Sequence, residues 1–108
     1  MDCLNDLADI DAINLPELPP LTMLRVRTWN TMYQLVVTEG AHVYVQGGTY
    51  FRDFTSAHID GASMGGGPLK MGWIAVGLLM ELHVDGKRIV TSPVVAITAE
   101  QPDFAVVH

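Results

Sequence analysis

The chain has 108 residues, 49% hydrophobic and 17% charged, a length that holds one core rather than two domains and a composition too apolar for disorder. Twelve acidic and six basic residues give a net charge of -6, but Asp2, Asp6, Asp9, Asp11 and Glu17 sit in a stretch without Lys or Arg, and Glu100 and Asp103 lie near the other end. The segment between carries all six basic residues, scattered against five acidic ones, which argues against nucleic acid as a partner because phosphate binding needs a basic stripe.

Cys3 has no second cysteine to pair with, so neither an intrachain disulfide nor a Cys-based zinc site is expected, which suits a reducing, cytoplasmic compartment. The opening residues lack the basic and apolar regions of a secretory signal. The longest apolar run, Met71 to Met80, is ten residues interrupted by Gly72 and Gly77. That is short of the roughly 18 residues of a membrane span, and no membrane partner is expected.

The first segment spaces Leu4, Leu7, Ile10, Ile13, Leu15 and Leu18 about three apart before Pro16, Pro19 and Pro20. The spacing is weakly helical, but the prolines limit any helix to a turn or two. Two readings follow: a frayed tail, or an arm that lays its Leu and Ile side chains on its own barrel or a neighbour's. From Leu24 the period changes to two. Leu24-Arg25-Val26-Arg27-Thr28 alternates as a half-buried strand does. Met32 to Thr38 and His42 to Gln46 flank Glu39-Gly40-Ala41 and predict a hairpin. Thr49 to Ile59 reads as a strand with an irregularity near Arg52-Asp53, and Asp60-Gly61 reads as the turn that follows it.

Trp73 to Leu82 is almost continuously apolar and predicts one strand covered on both faces, bent at Gly77. Its second face then needs a cover: the arm, the Phe104-Ala105-Val106-Val107 tail, or another copy of the chain. Asp85-Gly86 between two β-prone runs is the preferred two-residue hairpin turn. It pairs Val84 with Lys87, Leu82 with Ile89 and His83 with Arg88, with Glu81 one step along the polar face. Pro93 marks a break or an edge before Val94 to Thr98, and Ser92 beside it reads as a strand terminus. The fold expected is all-β: a small SH3-like barrel or rolled antiparallel sheet of six to seven strands, with an acidic N-terminal arm. The division is an arm over 1–22, a barrel domain over 23–99 and a tail over 100–108.

Gly61-Ala62-Ser63-Met64-Gly65 matches the G-x-S-x-G nucleophile pattern, but Gly65-Gly66-Gly67-Pro68 cannot start the helix that pattern requires. The same glycines and Lys70 miss the spacing of a phosphate loop. His58-Ile59-Asp60 and His83-Val84-Asp85 each put an imidazole and a carboxylate on one strand face, a donor set that suits zinc or iron, with His42 as a third candidate. Turn formation accounts for both aspartates, so no metal set, catalytic set or cofactor is assigned. Trp29, Tyr33, Tyr44, Tyr50, Phe51, Phe54 and Trp73 serve either as core and cross-strand pairs or as an aromatic groove for a protein partner.

Arg27-Thr28-Trp29-Asn30-Thr31-Met32-Tyr33, Gly47-Gly48-Thr49-Tyr50-Phe51, Gly72-Trp73-Ile74-Ala75-Val76-Gly77-Leu78 and Thr91-Ser92-Pro93-Val94 resemble the pattern of a family of small, functionally uncharacterised bacterial all-β proteins. The resemblance runs from about Leu24 to Thr98 and implies an autonomous domain with added tails, but no activity. The leading functional expectation is a non-enzymatic interaction module. It self-associates as a dimer through Trp73 and Leu79 of the apolar run and Phe104 and Val106 of the tail. The alternative is a small-molecule or metal-binding domain in which His58, Asp60, Ser63, Lys70 and His83 gather around the glycine-rich loop.

Overall fold

The computed structural model describes residues 8–100. Along them run β1 (Ala8–Ile10), β2 (Ala12–Asn14), a 3-10 turn (Leu15–Glu17), β3 (Met23–Thr28), β4 (Met32–Glu39), β5 (His42–Gly47), β6 (Phe51–Ser63), β7 (Leu69–Met71), β8 (Trp73–Ala75), β9 (Leu79–Val84) and β10 (Lys87–Glu100). Strands β3, β4, β5, β6, β9 and β10 pair antiparallel in succession, and β10 returns to pair with β3. The rolled antiparallel sheet therefore closes on itself, which leaves no open edge within the ring. β1 extends the sheet beside β10, β7 extends it beside β6, and β2 pairs with β8 in a separate two-stranded sheet.

Period-two sequence makes this ring. In β3, Leu24, Val26 and Thr28 are buried while Arg25 and Arg27 are exposed, as alternate side chains on opposite faces require. Leu35, Val37, Val43, Val45, Ile59, Met80, Leu82 and Ile97 fill the interior, each at most 1% exposed. The Asp85-Gly86 hairpin forms as the sequence predicts: Lys87 pairs with Val84, Arg88 with His83 and Ile89 with Leu82. Asp85 and Gly86 both take positive φ, +52° and +77°, the signature of a turn whose twist matches its strands.

The arm docks on its own barrel. β1 pairs with Ile97–Ala99 of β10, Leu15 is fully buried, and Ile10, Ile13 and Leu18 pack against the same core cluster. The Leu15 amide donates to the Gly72 carbonyl at 2.9 Å.

Four local expectations are corrected. Trp73 to Leu82 is not one strand: it divides into β8 and β9 around a turn at Val76–Leu78, because β8 leaves the ring to pair with β2. The second apolar face is covered by the arm, with Ile74 fully buried in the cluster that holds Leu15. Asp60-Gly61 is not a turn but lies inside β6, which runs on to Ser63. There Ile59 faces Leu82 and Gly61 faces Glu81, so Asp60 is one extra residue, a β-bulge. Pro93 and Ser92 do not end a strand. β10 runs through both, with Pro93 at a register shift where its missing N–H breaks no regular ladder. The irregularity expected near Arg52-Asp53 is present, since Val45 faces Thr55 and Gly47 faces Phe51, but the strand starts at Phe51 rather than Thr49.

Candidate functional site

Register places His42 of β5 opposite His58 of β6, and His58 opposite His83 of β9, with Arg88 of β10 opposite His83. A lateral row of three imidazoles and a guanidinium therefore crosses four strands on the outer face. The His42 and His58 rings meet edge to face with centroids 5.5 Å apart. Asp60, pushed out by its bulge, bonds both of the next two rings. His58 Nδ1 lies 3.0 Å from one carboxylate oxygen and His83 Nδ1 bonds the other. An ionised carboxylate only accepts, so both imidazoles present Nδ1–H to it and keep Nε2 as the free ring atom. The carboxylate is 17% exposed and the imidazoles about half exposed, so the group is an anchored base with two accessible rings.

Below that row lies a second polar group. The Asp60 bulge shifts the alternation of β6 by one, which turns Ser63 to the face of Glu81. The Ser63 hydroxyl donates to Glu81 Oε2, and Arg88 donates to Oε1 through Nε at 3.0 Å and Nη2 at 2.8 Å. Ser63 is 1% and Glu81 5% exposed. The Ser63 hydrogen bond first, and the Arg88 guanidinium second, hold the Glu81 carboxyl below the usual carboxylate range, against the opposing effects of burial and the nearby Asp60 charge.

Of the residues proposed from sequence, His58, Asp60 and His83 meet directly. Ser63 sits beside them, but its hydroxyl is engaged by Glu81 and accepts from the Gly65 amide at 3.3 Å. Its strand continues through a turn into β7, not into a helix, so the nucleophile elbow is absent at Ser63. Lys70 does not join the histidines: its Nζ stands 3.9 Å from the centroid of the Trp73 ring, a cation–π contact. Trp73 and Leu79 are half-buried within the chain. Phe104 and Val106 lie outside the described residues. Among the described residues, no three or more His, Cys, Asp or Glu side chains are grouped to enclose a metal ion, and no helix is long and apolar enough to cross a membrane. An open cleft of about 380 Å³ between β1, β10 and Val76 has Arg27 and Asp11 as its charged lining residues. Among the described residues, none of those proposed from sequence lines it.

One feature was missed from sequence: Glu81 and Arg88 form a doubly hydrogen-bonded pair, which the Asp85-Gly86 register already placed on one face. Trp29, named from sequence as one of seven aromatics, is 73% exposed at the β3–β4 turn. That turn is held from two sides. The Thr28 hydroxyl donates to the Thr31 carbonyl and accepts from the Thr31 amide, both at 3.1 Å, while Trp29 N–H donates to the Pro93 carbonyl at 3.1 Å and Asn30 N–H to Ser92 Oγ at 3.3 Å. Gly48 of the β5–β6 turn stands against Thr31. Met32 and Tyr50, 49% and 57% exposed, flank the paired turns. No protein-family model, curated protein or solved structure matches the chain.

Proposed function

We propose that this barrel is an interaction module that self-associates through the Trp29 turn. The carrying observation is an indole 73% exposed on a backbone fixed by hydrogen bonds to β10. An exposed aromatic on a rigid turn binds with little further loss of conformational entropy, and tryptophan is a preferred centre of protein contacts. Met32 and Tyr50 widen the apolar surface around it. A second copy suits this surface because an apolar patch is complementary to itself about a two-fold axis. This reading centres self-association on Trp29 instead of the Trp73, Leu79, Phe104 and Val106 set expected from sequence. The lone Cys3 supports placing the module in a reducing, cytoplasmic compartment.

Sedimentation velocity across a concentration series tests this reading. The expected result is a monomer–dimer equilibrium that Trp29→Ala weakens by roughly 30-fold or more, as the removal of a hot-spot residue does. Strictly monomeric protein at the highest concentration, or an equilibrium that Trp29→Ala leaves unchanged, overturns it.

A further inference from the structure

We infer that His58 and His83 form an open, two-nitrogen site for a divalent transition metal of the copper–nickel kind, with Asp60 as the group that orients them. Three observations converge. The two histidines are directly opposed on β6 and β9, a placement that holds Cβ atoms about 5 Å apart and puts both imidazoles side by side on the outer face. Each ring presents Nδ1 to a different oxygen of the same carboxylate. That arrangement fixes both tautomers and leaves both Nε2 lone pairs for a ligand, as the partners of metal-bound histidines characteristically do. Both rings are about half exposed while the carboxylate is mostly covered, so the rings are open to solvent and their support is largely shielded.

The donor set selects the metal. Two imidazoles with the remaining positions left to water fit the tetragonal geometry of Cu(II) or Ni(II), whereas structural zinc takes four protein ligands. Calcium and magnesium require oxygen donors, which this site presents only behind the rings. His42, edge to face with His58, braces the row from the other side. The site lies on β6 and β9, away from Trp29, and does not depend on the dimer.

The test uses full-length protein carrying Cys3→Ser, which removes the competing thiolate, with Cu(II) as the probe. One equivalent of copper is expected to bind saturably and to show two equatorial nitrogens by electron paramagnetic resonance. His58→Ala and His83→Ala should each weaken binding by roughly tenfold or more and remove one nitrogen, while Asp60→Asn should weaken it by roughly 10- to 100-fold with both nitrogens retained. Both histidines are exposed, so unchanged circular dichroism confirms that each variant is folded. Binding that persists undiminished in the His58→Ala, His83→Ala double variant, or a copper spectrum without two nitrogen ligands, overturns the assignment.

Discussion

Gly61→Ala probes the close approach on which the polar face depends. A Cβ built at Gly61 would stand 2.3 Å from the Lys70 carbonyl oxygen, 2.8 Å from the Lys70 carbonyl carbon and 3.0 Å from Met71 Cα, and its φ is +151°. These are backbone atoms, so no side-chain rotation relieves the overlap. β7 must retreat by about 1 Å to restore ordinary contact. That retreat strains the pairing of Gly61, Ala62 and Ser63 with Met71, Lys70 and Leu69. It also pulls on Gly72, whose amide donates to the Asp60 carbonyl at 3.0 Å and whose carbonyl receives the Leu15 amide at 2.9 Å. Overpacking of this kind costs about 1–3 kcal/mol, and the disfavoured backbone conformation adds about 1 kcal/mol or more, so the expected loss is about 3 kcal/mol. Gly86→Ala is the control: its φ is +77° but nothing lies within 4 Å of the added methyl, so only the left-handed penalty of about 1–2 kcal/mol applies. Urea unfolding of both variants measures the difference, and hydrogen exchange at the Leu15 amide should accelerate only in Gly61→Ala. Equal losses in the two variants, or protected Leu15 exchange in Gly61→Ala, would refute the account of the β6–β7 contact.

Glu81→Gln should cost about 1–2 kcal/mol at pH 7, the scale of hydrogen bonds to a charged group moderated by the exposure of Arg88. Because the folded carboxyl titrates below the unfolded one, this stability is fully present above the unfolded pKa and disappears as pH falls through the folded one. The melting-temperature gap between native protein and Glu81→Gln should therefore close on acidification below about pH 4; a gap that widens there contradicts the assigned direction. Leu82→Ala, at a fully buried position, should lose about 2–5 kcal/mol in chemical denaturation. Trp29→Ala should by contrast lose about 1.5 kcal/mol or less, because only about a quarter of the side chain is covered in the monomer. A monomer stability loss like that of Leu82→Ala would place Trp29 in the core. Lys70→Ala should cost less than about 1 kcal/mol while shifting Trp73 fluorescence, as loss of an exposed cation–π contact does.

Where local chemistry decides structure, the sequence was readable to the residue. Asp85-Gly86 set a register that placed Leu82 against Ile89 and His83 against Arg88, because a two-residue turn leaves no alternative pairing. The alternation of Leu24 to Thr28 declared which side of β3 is inside. Two of the failures share one cause. Asp60-Gly61 and Pro93 carry residues that usually end strands, and the ring needs β6 and β10 to continue through them, whereas the Trp73–Leu82 run, expected as one strand bent at Gly77, divides there because β8 pairs with β2. β6 and β10 each change partners along their length, from β5 to β7 on one edge and from β9 to β1 on another. A local reading of Gly or Pro detects the irregularity but not whether the chain turns back or bends onward, since the partner strands decide that.

The same bulge explains why the candidate site could be only half read. Both H-x-D pairs promised an imidazole and a carboxylate on one strand face, yet Asp85 went to a hairpin turn and only Asp60 reached the histidines. Had β6 remained regular past Ile59, Gly61 and Ser63 would face the core and Ala62 the solvent, so Glu81 would lose its closest donor. The extra residue reverses that order. Ala62 is buried in the interior, Ser63 reaches Glu81, and Asp60 is left between two strands at the height of the His58–His83 pair. One inserted residue thus satisfies the inner carboxylate and supplies the outer one. Deleting Asp60 should consequently do more than remove a hydrogen-bond acceptor, since it would return β6 to regular alternation and separate Ser63 from Glu81, whereas Asp60→Asn keeps the bulge and changes only the charge behind the two rings.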